Sequence, residues 1–377
     1  MTSEPPESTP SAASNAGADV AAMTGAPAPM TKKQKRNQII RSGIGLLATA
    51  VIVYFVWKWF QSQGASISQV WADIKGMPAW AVIGLGIATV FNLLVYPTPY
   101  QASTIGLKYP SAFTVRQTSF TISNTIPFGG AVGLGVQYGM FGTYAIGPTA
   151  IVATLAISSV WTELMTLGLP VLGLIGLAFT GQATSQEVTW AALGAAGVVV
   201  IVVLLVIILR SVKGAEWVGR VGQKSLGWFF RLIHKPEPDV TASVLKFRHD
   251  TVDVLKARWL IITGTNFLVQ LGMFSILYFA VAGLSASTNG HMPSLVECFA
   301  AFAISRIGTL VPVPGGLGPT DAILVQLLTS FGVTSTVAVA ADLVWRILYF
   351  AVQVLVGVLT FIWWQFVASK RHHPAAA

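Results

Sequence analysis

The sequence predicts an all-α fold, a polytopic membrane helix bundle with about six full spans and two re-entrant broken-helix elements in an inverted repeat. Three observations predict it. Hydrophobic residues make up 54% of the 377 positions and charged residues only 10%, against about 25% charged in soluble domains. Several apolar runs reach the roughly 20 residues that cross a hydrocarbon core. Two stretches rich in glycine and proline, 124–135 and 305–321, interrupt the apolar sequence in its two halves.

Residues 1–38 read as a disordered cytoplasmic tail. Ser, Ala, Pro, Thr and Gly dominate up to Met30 without apolar periodicity, and a basic cluster follows at Lys32, Lys33, Lys35 and Arg36. That cluster leads straight into an apolar run, which is not the layout of a signal peptide. The membrane domain runs over 39–367. Its first span is 39–60, closed by Trp57 and Trp59, and its second is 79–96, ended by Pro97-Thr98-Pro99. Lys108 and Arg116 fall on the inner side. Residues 111–141 hold the first broken element, too polar and Gly-rich for an ordinary span. A Pro170-containing span follows at 151–179, and 190–209 returns.

The linker 210–258 carries ten Lys or Arg residues and includes an amphipathic helix at 216–233. That helix suits either the inner leaflet or a place under the bundle. Spans at 259–284 and 337–367 enclose the second broken element, 294–331, and 368–377 form a cytoplasmic tail. The loops 180–189 and 285–293 lack Lys and Arg. The positive-inside rule therefore puts both termini and the linker in the cytoplasm of a plasma-membrane protein. The net charge of +9 follows from that rule and calls for no nucleic acid. With this topology the repeats 79–179 and 259–367 are inverted. Aligning Gly129-Gly130 with Gly315-Gly316 brings Trp161 near Trp345, followed by Glu163 in one copy and Arg346 in the other.

The breaks are where chemistry is expected. Proline removes a backbone donor, so the helix before Pro312 stops and a new one begins at Pro319. Irregular backbone at membrane depth is tolerated only inside protein or along a watery cavity. Gly129, Gly130, Gly315, Gly316 and Gly318 leave backbone N–H groups uncovered beside helix starts, an arrangement that suits anions. Five charged residues lie in or beside apolar segments: Glu163, Arg306, Asp321, Asp342 and Arg346. Each costs about 2.5–3.5 kcal/mol at the bilayer centre on insertion scales. Arg306 and Arg346 are candidates to hold a phosphate, with Asn124 beside the first break satisfying freed backbone groups or binding ligand. Asp321 is placed to cap the helix starting at Pro319. Glu163 and Asp342 are candidates for proton coupling or for an ion pair with Arg346. The lone Cys298 excludes an internal disulfide, and no zinc-ligand pattern or catalytic constellation stands out. No cofactor, metal or enzymatic activity is expected.

The string Pro312–Asp321, PVPGGLGPTD, with Trp345-Arg346 downstream and Asn124–Gly133 in the first half, resembles the flippase-like, lysylphosphatidylglycerol synthase transmembrane family over about 39–367. Asp321 stands where the family more usually has glutamate. The resemblance implies movement of lipids between leaflets. The family's soluble aminoacyl-transferase domain is not expected here, which argues against lipid aminoacylation by this chain alone. The expected function is a transporter of an anionic, phosphate-bearing lipid. A flippase for polyprenyl-phosphate-linked sugars, a small-anion or proton-coupled transporter, and a scaffold for a lipid-modifying enzyme partner stand as alternatives. The oligomeric state is open.

Overall fold

A computed structural model describes residues 67–125, 129–179, 181, 185–232, 239–311 and 316–371. All of them belong to one of the two units into which the chain divides, that spanning Thr49–Ala377. The tail 1–38, the span expected at 39–60, part of the loop expected at 180–189, and Pro312, Pro314 and Gly315 lie outside the described residues.

Every described element is helical. In order they are α1 (Ile67–Lys75), α2 (Ala79–Val95), α3 (Thr98–Ser103), α4 (Tyr109–Thr125), α5 (Gly129–Thr143), α6 (Pro148–Phe179), α7 (Ser185–Arg210), α8 (Val212–Leu232), α9 (Val240–Ser287) and α10 (Leu295–Ser305). A 3₁₀ turn, Arg306–Leu310, then precedes α11 (Pro319–Ser330), α12 (Ser335–Arg346), a π turn (Ile347–Ala351) and α13 (Val352–Arg371). Among the described residues, four stretches are long and apolar enough to cross a membrane: Ala79–Ser103, Pro148–Phe179, Val240–Ser287 and Ser335–Phe366. A shorter apolar helix, Ala196–Arg210, covers part of the span expected at 190–209. Apolar side chains point outward from these helices; Ile87 is 66% exposed, Leu260 65% and Leu359 65%. A helix turned toward lipid carries such a face, since hydrocarbon does not penalise it.

The bundle is built around α9. Its 48 residues span about 72 Å at 1.5 Å per residue, more than twice the roughly 30 Å of hydrocarbon. Part of the expected linker is therefore helix, continuous with the span expected at 259–284. The Asp239 carboxylate starts it by accepting from the Ala242 N–H at 2.8 Å. α2, α6, α8 and α12 all pack against α9. α8 is the predicted amphipathic helix, and its small residues Ala215, Gly219 and Gly222 turn inward. A side chain at Gly219 or Gly222 would meet Thr241 or Val240 at the start of α9. Trp217 is half exposed on the other side.

Two tryptophans dock on the same helix. Trp161 of α6 donates its indole N–H to Thr263 Oγ1 at 2.9 Å, and Trp345 of α12 donates to the Met273 carbonyl at 3.0 Å. These are the pair that the repeat alignment brought into register. Among the described residues, one large cluster of buried side chains gathers around Trp345 where α2, α9, α10, α11 and α12 meet, with Trp345, Phe302, Leu277 and Leu324 fully enclosed. Trp161 packs in a smaller cluster with Ile157, Leu255 and Ile262.

The two halves of the chain interlock through α4 and α13. The Thr118 and Thr360 hydroxyls share a hydrogen bond at 3.1 Å, and Thr121 donates to the Val354 carbonyl at 3.0 Å. Gly357 permits the approach, because a side chain there would meet Thr121 Oγ1 and the Gln117 carbonyl.

Candidate functional site

The second break is organised by a buried ion pair. α10 ends at Ser305, the 3₁₀ turn follows, and α11 begins with Pro319 in its first turn, as the Gly-Pro pattern predicts. Gly316 and Gly318 sit at φ +65° and +91°, conformations that glycine adopts without steric cost. The Gly318 N–H donates to Asp321 Oδ2 at 2.7 Å, so Asp321 caps its own helix. Its other oxygen accepts from Arg346 Nε at 2.5 Å. Arg346 Nη2 reaches the Gly316 carbonyl at 3.4 Å. The protein's own carboxylate thus takes the Gly318 N–H, and at Gly316 the arginine meets a carbonyl oxygen. Asp321 is 4% exposed and Arg346 9%.

Asp342, one turn before Arg346, is 5% exposed. It lies within electrostatic reach of both Asp321 and Arg346, and its Oδ1 has no hydrogen-bond partner. Arg346 therefore sits among two acidic groups, with the ion pair to Asp321. The π turn that follows immediately loosens the helix at this point.

An aromatic run leads from this cluster into the first half. Trp345 stacks on Tyr349 with centroids 5.2 Å apart, Tyr349 meets Phe120 at 6.1 Å, and Phe120 meets Tyr96 edge-on at 5.5 Å. The run ends at Arg116, whose guanidinium lies 4.5 Å from the Tyr96 ring centroid and 4.7 Å from that of Tyr100. Arg116 Nη1 donates to the Tyr100 hydroxyl at 3.0 Å. Tyr100 in turn donates to Gln137 Oε1 at 2.6 Å, and Gln137 Nε2 donates to the Ser119 hydroxyl. A cavity of about 230 Å³ opens beside Arg116, lined also by Ser123, Gly130, Gln137, Ser158, Thr162 and Glu163.

The first break thus differs from the second. Gly129 allows α5 to start hard against the end of α4, where a side chain would strike the Ile122 carbonyl. Gly130 has open space around it and faces the cavity. Asn124 Nδ2 donates to the Phe120 carbonyl at 2.7 Å and so tends its own helix end. Glu163 is exposed, shares the cavity with Arg116, and makes no ion pair with it.

Arg116 is the site residue that sequence reasoning passed over. Among the described residues it has no carboxylate partner, and its Nε is buried without a hydrogen bond. Arg306, at the 3₁₀ turn, is half-buried and shares both properties. Electrostatic interactions join the Tyr96 hydroxyl to Arg116 and to Arg306 as well. Arg116 thus stands against the Tyr96 ring with donor capacity to spare, and Arg306, from the other half of the chain, acts on the same hydroxyl only at longer electrostatic range.

The family described as Lysylphosphatidylglycerol synthase TM region matches residues 42–357. No curated protein matches the chain.

Proposed function

We propose that this chain, which belongs to the lysylphosphatidylglycerol synthase TM region family, moves an anionic, phosphate-bearing lipid between the leaflets of the plasma membrane. It is a membrane protein of a lipid-related family, and the buried Arg116, without a carboxylate partner beside a polar cavity, carries the finer reading. A guanidinium with a free N–H and no carboxylate partner is built to receive an oxyanion, and its planar fork matches phosphate. The headgroup occupies the polar space by Arg116 and Gly130, while the acyl chains stay in hydrocarbon. Arg346, Asp321, Gly316 and Gly318 hold the second break in shape beside it. The halves 79–179 and 259–367, arranged as inverted repeats with both termini cytoplasmic, rock against each other to alternate access.

The test is a vesicle assay with the purified chain and two fluorescent lipids, one anionic and one zwitterionic. Faster redistribution of the anionic lipid, lost in Arg116→Ala and Arg306→Ala at equal protein amounts, supports the reading. Equal rates for wild type and both variants overturn it.

The unpartnered oxygen of Asp342 favours a second reading, a proton-coupled transporter. In that case Asp342→Asn abolishes the dependence of transport on an imposed pH gradient. A lipid flippase without coupling keeps its rate.

A further inference from the structure

A second feature lies on the opposite face of α6, away from the cavity beside Arg116. α7 packs along α6 and α8 and makes only slight contact with α9. The wedge left between α7 and α9, floored by α6, holds two cavities of about 770 and 610 Å³. They share Leu164, Met165, Val198 and Thr263 and so form one groove. Each volume falls within the roughly 300–1,000 Å³ of ligand sites.

The groove is apolar along its length and cationic at one end. The polar groups of its floor satisfy each other, since Trp161 donates to Thr263 within it, so nothing there asks for water. Arg210 and Lys256 line the end that leads into the basic linker, with Trp259 beside them. Both cations are exposed, and neither makes an ion pair among the described residues. Trp259 is 52% exposed, as a tryptophan at the membrane–water boundary is. From Leu255 at that end to Phe267 at the other is twelve residues of α9, about 18 Å of helix. One leaflet of hydrocarbon is about 15 Å deep, half of the 30 Å core. The groove therefore has the depth, polarity and cationic mouth of a single-leaflet lipid site.

We propose that this groove binds one acyl chain of an anionic phospholipid whose phosphate rests between Arg210 and Lys256. The site does not depend on the transport reading, because it shares no residue with the cavity beside Arg116. It holds a lipid at rest against α9 and the Trp161 anchor.

The test uses the full chain in nanodiscs of equal dioleoyl phosphatidylserine and dioleoyl phosphatidylcholine, followed by gentle extraction and native mass spectrometry. Wild type retains phosphatidylserine in preference to phosphatidylcholine. Arg210→Gln with Lys256→Gln, both at exposed positions, lowers phosphatidylserine retention about 30-fold, at roughly fivefold per cation. Leu205→Trp, which fills the groove, releases both lipids. The proposal falls if the charge variant retains phosphatidylserine as wild type does, or if it loses both lipids equally. It falls also if Leu205→Trp changes neither. A transport defect in Arg116→Ala with phosphatidylserine retention intact separates this site from the transport site.

Discussion

Arg346 Nε lies 2.5 Å from Asp321 Oδ1, and this contact ties the last long helix to the first turn of the helix that follows the second break. The same carboxylate accepts from Gly318 N–H, so one side chain fixes both the backbone at the break and the arginine above it. Removing one partner of such a buried pair leaves a charge without compensation, which costs about 3–5 kcal/mol. Asp321→Asn and Arg346→Gln should each lower the thermal midpoint of the solubilised protein. The double variant should lose clearly less than the sum. Strict additivity would show that the two groups do not act as a pair.

Arg116 owes its position to two tyrosine rings and one hydroxyl. Arg116→Lys keeps the charge and loses the planar fork, so transport of the anionic lipid should fall by at least about tenfold, the worth of one charge-assisted hydrogen bond. Tyr100→Phe keeps the ring and removes the hydroxyl, so its loss should be smaller. The vesicle assay ranks the three proteins.

Much of the second break is legible in the sequence. Gly-Pro followed two residues later by an acid marks a capped helix start, and α11 begins there. The partner of Arg346 is not legible, because Asp342 is nearer in sequence and Glu163 is its match in the repeat. Only the fold brings Asp321 to it. Arg116 hides for a different reason. Its neighbours Gln117, Thr118 and Ser119 look like an interfacial segment, yet all three are buried, bonded to Leu93 of α2, Thr360 of α13 and Gln137 of α5. The continuity of α9 was within reach: no Gly or Pro occurs between residues 240 and 263, and Asp239 stands at the cap. Its charge content, which suits a linker, obscured that signal.

Gly357 and Gly139 offer a matched pair. Gly357→Ala forces a methyl group into Thr121 and Gln117 of α4 and should destabilise by about 1–3 kcal/mol, as overpacking does. Gly139 has open space, and Gly139→Ala should leave stability unchanged or raise it by about 0.5–1 kcal/mol through helix propensity. Thermal unfolding of the two variants decides whether α4 and α13 are as closely packed as described.

Cysteine labelling checks orientation. In a Cys298→Ser background, a cysteine at exposed Ala286 should react with an impermeant reagent applied to intact cells, and one at exposed Lys213 should not. The reverse pattern would invert the topology and remove the basis for calling the linker cytoplasmic.

α9 is one uninterrupted α-helix over its 48 residues and contains no proline, a leading cause of sharp helix kinks. Its Asp239 end and its Ser287 end are therefore a single mechanical object, a lever whose handle projects beyond the hydrocarbon. Trp161 and Trp345 grip that lever at Thr263 and Met273, ten residues or about 15 Å apart. A load applied to the handle is delivered to both grips at once, and with them to both halves of the chain.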